Sequence, residues 1–308
     1  MIRAKTMVLV IGSSNVDYVF KVDHFTNGGE TQKALEFQLH PGGKGANQAV
    51  TVGKLRGKCR FISCISEKDG QILIDNFKKW NVDGWNLCGE YTGKAFIEVT
   101  KSGENRIVIY PGSNKLLTPE VVIQNEEMIR ISDILLLQNE IPLDSNKTAV
   151  KVAKKYGTFV ILDPAPAQNL DRELLTLADI ITPNKEEAEE IGKIFDCKFA
   201  DPESYMKCMI DKGLKSIIVK LGEAGSIYFD GEKLINVNAF KVDSVADTTA
   251  AGDIYNGALA TALDEGKSIK DAMIFASAAA AISVTRMGAQ SSIPDRSEVE
   301  TFLKNAKV

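Results

Sequence analysis

Residues 134–163 read ILLLQNEIPLDSNKTAVKVAKKYGTFVILD, and the fold class follows from this stretch. Two short apolar runs, Ile134–Leu137 and Phe159–Leu162, flank a helical pattern over Ser145–Tyr156. The runs are continuous rather than alternating, which suits strands covered on both faces. The same unit recurs on either side. Further runs lie at Met7–Ile11, Arg60–Ile65, Ile180–Ile181 and Ser216–Leu221, with helical patterns at Pro119–Arg130, Lys185–Phe195 and Glu203–Lys212. Strand–helix alternation on this scale predicts an α/β protein with a mostly parallel sheet and helices on both faces. Two long helices are expected near the C-terminus, over Thr248–Glu265 and Ser268–Thr285. Gly266 stands at the C′ position between them, and Ser268 starts an N-cap with Asp271 in the first turn.

Three segments obey another rule. Tyr18–Val22, Lys33–Leu39 and Lys94–Tyr110 alternate apolar and polar residues with period two. Leu35, Phe37 and Leu39 face one way; Ala34, Glu36 and Gln38 face the other. Such strands have one wet face. We expect a small separate sheet built from insertions at about 18–40 and 93–111, carried by a single domain spanning 1–308.

Composition narrows the function. The chain has 308 residues, 44% hydrophobic and 25% charged, with 37 Lys and Arg against 41 Asp and Glu for a net charge of −4. That balance excludes disorder and argues against a nucleic-acid or membrane-surface binder. The longest uncharged run, between Asp271 and Arg286, falls short of the ~18–20 residues of a membrane span. Five scattered cysteines, Cys59, Cys64, Cys88, Cys197 and Cys208, read as buried or free thiols, and a cytoplasmic protein is expected. His24 and His40 are the only histidines, too few for a zinc site or a Ser–His–Asp triad.

Two common nucleotide motifs fail. Gly266-Lys267-Ser268 has the ending of a phosphate-binding loop, but Thr261 stands where its first glycine belongs. After Met7–Ile11 comes Gly12-Ser13-Ser14-Asn15-Val16-Asp17, with no Gly-x-Gly-x-x-Gly. Two other clusters carry chemistry. In Pro41-Gly42-Gly43-Lys44-Gly45-Ala46-Asn47-Gln48-Ala49, glycines strip side chains from a loop entering a helix and let its amides approach a polar ligand. In Asp247-Thr248-Thr249-Ala250-Ala251-Gly252-Asp253, small residues open a helix whose exposed amides form an anion hole. Asp253 then stands where it can take a proton from an attacking hydroxyl.

These two clusters, in this order, resemble the signatures of the ribokinase-like (PfkB) family of carbohydrate and nucleoside kinases. Asp163-Pro164-Ala165-Pro166-Ala167, Ile181-Thr182-Pro183-Asn184 and Val284-Thr285-Arg286-Met287-Gly288-Ala289-Gln290 extend the resemblance along nearly the whole chain. It implies a ribokinase-like three-layer α/β/α sandwich with a β-sheet lid, and ATP-dependent phosphorylation of D-ribose at its 5-hydroxyl. The alternatives are a kinase for deoxyribose or another sugar, and a non-catalytic sugar-binding regulator. By the resemblance, Asp253 is the general base, and the amides from Ala250 through Ala251 and Gly252 receive the transferring phosphoryl group. Asn15, Asp17, Gly43, Lys44, Asn47 and Glu140 bind the sugar. Asn184, Lys220, Gly222, Gly225 and Ser277, with Gly252, serve ATP, and Glu187 helps place Mg²⁺. An activating K⁺ would use Asp247, Thr249, Ser283, Arg286, Gly288 and Ser292. A homodimer through the lid is also implied.

Overall fold

A computed structural model describes residues 7–306; the reading of 1–308 as one unit therefore includes positions outside the described residues. Nine strands form the main sheet. Its order is Leu234–Val237, Ser226–Phe229, Ile217–Lys220, Ile180–Ile181, Phe159–Asp163, Ile134–Gln138, Val8–Ile11, Cys59–Ile62 and Val82–Asp83. Neighbours are parallel except around Ser226–Phe229, which is antiparallel to both of its partners. The two apolar runs of the opening stretch are adjacent strands, with Ile134 opposite Phe159. The helix between them, Leu143–Tyr156, makes the crossover and ends on left-handed Gly157.

The central strands are buried on both faces because each face has its own core. Val8, Val10, Leu136 and Ile161 point to one side, against Ala46 and Val50 of the helix Lys44–Lys54 and the helices Ala251–Asp264 and Ile269–Ser283. Leu9, Ile11, Leu135 and Leu162 point to the other, against the helices Leu143–Tyr156, Lys185–Phe195 and Pro202–Asp211. This is the three-layer α/β/α sandwich. A fully buried Leu or Ile contributes about 1.5–3 kcal/mol, so the apolar runs supply most of the drive to collapse. Among the described residues no helix is long and apolar enough to cross a membrane.

The alternating segments form a separate four-stranded sheet of order Glu36–Gly42, Asn15–Val22, Gly93–Thr100 and Asn105–Tyr110. Its register sorts the side chains. Tyr18, Phe37, Phe96 and Val108 share one face, while Asp17, Ala95, Ile97, Ile107 and Ile109 share the other.

Several boundaries differ from the expectation. The helix over 119–130 breaks at Asn125 into Pro119–Gln124 and Glu126–Arg130. The run Arg60–Ile65 divides into Cys59–Ile62 and a short strand Cys64–Ile65 that pairs with Asn86–Leu87. The antiparallel strands at the sheet edge, Ser226–Phe229 and Leu234–Val237, lie outside the strand–helix pattern. The cysteine reading needs a correction: Cys197 and Cys208 form a disulfide, with Cα atoms 5.9 Å apart, because the turn between two helices brings them together. Cys59, Cys64 and Cys88 are free.

Candidate active site

The parallel strands all end at one edge of the sheet, and the segment after each end faces a shared crevice, the usual ligand position in an open α/β sheet. Val8–Ile11 leads through Ser13 to Asn15 and Asp17, and Ile134–Gln138 leads to Glu140. Phe159–Asp163 ends in Asp163, and Ile217–Lys220 ends in Lys220. The glycine-rich loop enters from the side. Gly43 has φ +89°, a backbone state that side chains resist. Gly45 lies so close that a Cβ there would come within 2.6 Å of the Ser13 amide nitrogen, so only glycine seats this helix on the first strand.

Asn15, Asp17, Lys44, Asn47, Glu140 and Asp253 gather around this loop. The Glu140 carboxylate accepts from the Ser13 hydroxyl (2.5 Å) and the Lys44 amide (3.0 Å). Asn15 Oδ1 accepts from Asn114 Nδ2 at 2.8 Å. Asp17 sits against Gly42, where any side chain would collide with its carboxylate. Burial, with the charge of Glu140, pushes Asp17 up to about 7. Asp253 is buried in the first turn of its helix, and its Oδ2 accepts from Asn47 Nδ2 at 2.9 Å. Burial raises Asp253 to about 6. Lys44 pulls it down, Asp163 and Glu140 push it up, and the bond from Asn47 favours its charge. Burial works against the Lys44 charge too, yet Asp253, Glu140, Asp163 and Glu187 together hold it more basic than an ordinary lysine.

The helix carrying Asp253 begins at Ala251 rather than Thr248, because Ala250 is left-handed (φ 60°). The Ala251 amide donates to the Thr248 carbonyl at 3.2 Å. The Gly252 and Asp253 amides stand next in the first turn, where a helix offers them no carbonyl. An uncommon backbone state in a non-glycine residue at such a point is strain of the kind found at functional sites.

Beside this helix start lies a mostly apolar cavity of about 490 Å³. Lys220, Gly222, Gly225, Ala251, Gly252 and Ser277 line it, with Phe240, Tyr255 and Val284 among its apolar walls. Asn184 and Glu187 stand behind it, and the Asn184 backbone bridges to that of Lys220. Asn184 and Glu187 form a reciprocal cap in which each backbone N–H donates to the other's side chain at 2.8 Å. Glu187 is raised mainly by burial, with Lys220 opposing.

The two loops assigned to a cation meet. Asp247 Oδ1 accepts from the Thr249 amide (2.9 Å) and hydroxyl (2.6 Å), and Oδ2 accepts from the Gly288 amide (2.8 Å). Ser283 and Ser292 are buried, their hydroxyls donating to the Ala280 and Ala289 carbonyls. The Arg286 guanidinium turns away to Glu298 at 2.6 Å, which leaves only its backbone on the loop side.

Motif reading left out two members of this site, Gln48 and Asp163. Gln48 Nε2 donates to Asp163 Oδ2 at 2.9 Å and to Asp253 Oδ1 at 3.2 Å, and Lys220 Nζ donates to Asp163 Oδ1 at 3.2 Å. Asp163 could have been found by analogy with Glu140, since each is an acid at the end of an apolar strand. Gln48 carries no such mark beyond its place in the glycine-rich cluster.

A family model described as pfkB family carbohydrate kinase matches residues 5–296. The chain is 45% identical over 304 residues to a curated ribokinase of Haemophilus influenzae, covering 96% of this chain and 98% of that one. It superposes on a Thermotoga maritima ribokinase with a TM-score of 0.92 at 49% identity, covering 97% of this chain and 100% of that one. An Arabidopsis thaliana ribokinase complexed with ribose and ATP gives 0.88 at 33% identity, over 98% of this chain and 100% of that one.

Proposed function

The chain belongs to the pfkB family of carbohydrate kinases, and from that premise we propose that it moves the γ-phosphoryl group of ATP to the 5-hydroxyl of D-ribose, giving D-ribose 5-phosphate and ADP. The observation that carries this reading is the position of Asp253. It lies between a cluster of hydroxyl-binding groups and a cavity of nucleoside size, in the first turn of a helix whose free amides face the gap.

The chemistry is mostly positioning and charge. Asn15, Asp17, Gly43, Lys44, Asn47 and Glu140 hold the sugar hydroxyls. Asp253 accepts the proton of the 5-hydroxyl as its oxygen attacks phosphorus, and the Gly252 and Asp253 amides take up the charge on the transferring group. Lys220, Gly222, Gly225 and Ser277 receive the nucleotide. Asn184 and Glu187 fit Mg²⁺, which wants oxygen ligands and keeps phosphates and water for the rest, and it would neutralise phosphate charge. The Asp247 carboxylate and the carbonyl-rich turns around Thr249, Ser283, Arg286, Gly288 and Ser292 fit K⁺, which would fix the helix start from below.

The lid favours a sugar over a nucleoside. The face bearing Asp17 also bears His40, Ala95, Ile97, Ile107 and Ile109, with no Phe, Tyr or Trp to stack on a base. The rings stand on the opposite face, where Phe37 is 51% exposed and Val108 67%. We assign that face to a second lid in a homodimer, since an isolated small sheet is marginal in water and leaves its edges unpaired. We place the reaction in the cytoplasm, where ATP is available. An ADP-release assay over ribose, 2-deoxyribose, other pentoses and adenosine tests the reading. Ribose is expected to give the highest kcat/KM; preference for 2-deoxyribose would make it a deoxyribokinase, and no turnover with any sugar would leave a sugar-binding regulator.

A further inference from the structure

Gln48 is fully buried in the helix Lys44–Lys54, and both ends of its amide are engaged with residues from other elements. Its nitrogen faces two carboxylates at once, Asp253 Oδ1 at 3.2 Å and Asp163 Oδ2 at 2.9 Å. An NH₂ group, with two N–H donors, satisfies both without adding charge. Its oxygen is held from behind by Gln138 Nε2 at 2.6 Å, which fixes which end of the amide points forward. Gln138 is itself fully buried, and Gly12 leaves the room it needs: a Cβ there would lie 1.9 Å from Gln138 Oε1. On the far side Asp163 accepts from Lys220, which lines the nucleotide cavity.

We propose that Gln48 is a positioning residue for phosphoryl transfer: its amide holds Asp253 in register with Asp163 and, through Lys220, with the nucleotide cavity. This rests on the assignment of Asp253 as the base. Three charged groups face Asp253 from other elements: Lys44 on the glycine-rich helix, Asp163 on its strand and Glu140 beyond the next strand. Of these, Asp163 reaches Asp253 through Gln48. Without Gln48 the two carboxylates would lose their shared hydrogen-bond donor, and the charged form of the base would lose one of its two hydrogen bonds.

Gln48→Met removes the donor at nearly constant volume. We expect kcat with ribose to fall about tenfold or more, the ribose KM to stay within about threefold, and the acid limb of the kcat profile to move up by about one pH unit. A merely structural role would scale the rate equally at every pH and leave the limb in place. A folded, ADP-binding Gln48→Met enzyme with wild-type kcat and an unmoved limb overturns the proposal. If that variant does not fold, Gln138→Met decides: it frees the amide from behind, and the limb should move in the same direction by less. An unmoved limb there overturns the proposal equally. Asp253→Asn in the same assay separates the two levels. Loss of ribose turnover in Asp253→Asn beside an unaffected Gln48→Met rejects the role of Gln48 alone, whereas a wild-type protein inert toward ribose rejects both.

Discussion

Asp253 carries the sharpest consequences at the level of single residues. Asp253→Asn should lower kcat by roughly 10²–10⁴ with ribose affinity largely kept, which steady-state kinetics and ribose titration would separate. Retention of more than about a tenth of the rate would place the base elsewhere. Its raised pKa also links to stability. The folded protein holds this proton up to about 6, whereas an unfolded aspartate releases it near 3.8. In that window the folded state binds more protons, so stability falls as pH rises, by at most about 3 kcal/mol across it. Thermal unfolding from pH 4 to 8 should therefore decline more steeply for the wild type than for Asp253→Asn; parallel curves would mean that Asp253 titrates normally in the fold. Asp253 and Asn47 stood out in the sequence because glycine-rich and small-residue helix starts mark where chemistry sits, whereas Glu140 entered through the family resemblance. Gln48 did not stand out, because its importance lies in a pairing with Asp163 across 115 residues, which local pattern does not encode.

Among the elements, the helix Lys185–Phe195 shows a motif with two readings at once. Its Asn184–Glu187 pair is expected to serve Mg²⁺, and the structure spends both side chains on a reciprocal cap. Asn184→Ala should cost about 1 kcal/mol of stability, read as a lowered unfolding midpoint. No change would mean that the cap adds nothing to the docked helix. The lid carries a second prediction. Phe37→Asp together with Val108→Asp places charge on the exposed aromatic face and should convert a dimer to a monomer in light scattering. A wild type that is already monomeric at micromolar concentration removes that assignment. The lid strands could be read from period two alone, since a half-wet strand advertises itself. The edge strands Ser226–Phe229 and Leu234–Val237 could not: they are short, and the antiparallel turn between them breaks the strand–helix rhythm. The Cys197–Cys208 bridge was hidden for a related reason, as Cys197 in the turn and Cys208 in the helix that follows meet only when that turn is built.

At the level of the whole molecule, the bond from the Gly288 amide to Asp247 ties two distant loops together beside the start of the helix Ala251–Asp264. Replacing K⁺ by Na⁺ at equal ionic strength should lower activity several-fold, about 1 kcal/mol of barrier. Asp247→Ala should lose most of that dependence, and equal rates in K⁺, Na⁺ and a large organic cation would refute the cation site. The sandwich itself was readable from the repeated strand–helix unit, whereas the order of strands in the sheet was not. The clasp between Asn47 and Asp253 joins positions 206 residues apart, and Gln290 props Asn47 from 243 residues downstream. A ribosome adding roughly 5–20 residues per second delivers the glycine-rich helix some 10–40 seconds before the aspartate that must complete it. Until then the residues proposed to hold the sugar are present without the proposed base. Under the proposed function, catalytic competence therefore arrives late in synthesis: a chain broken off before residue 253 lacks both the proposed base and the two helices, Ala251–Asp264 and Ile269–Ser283, that cover one face of the sheet.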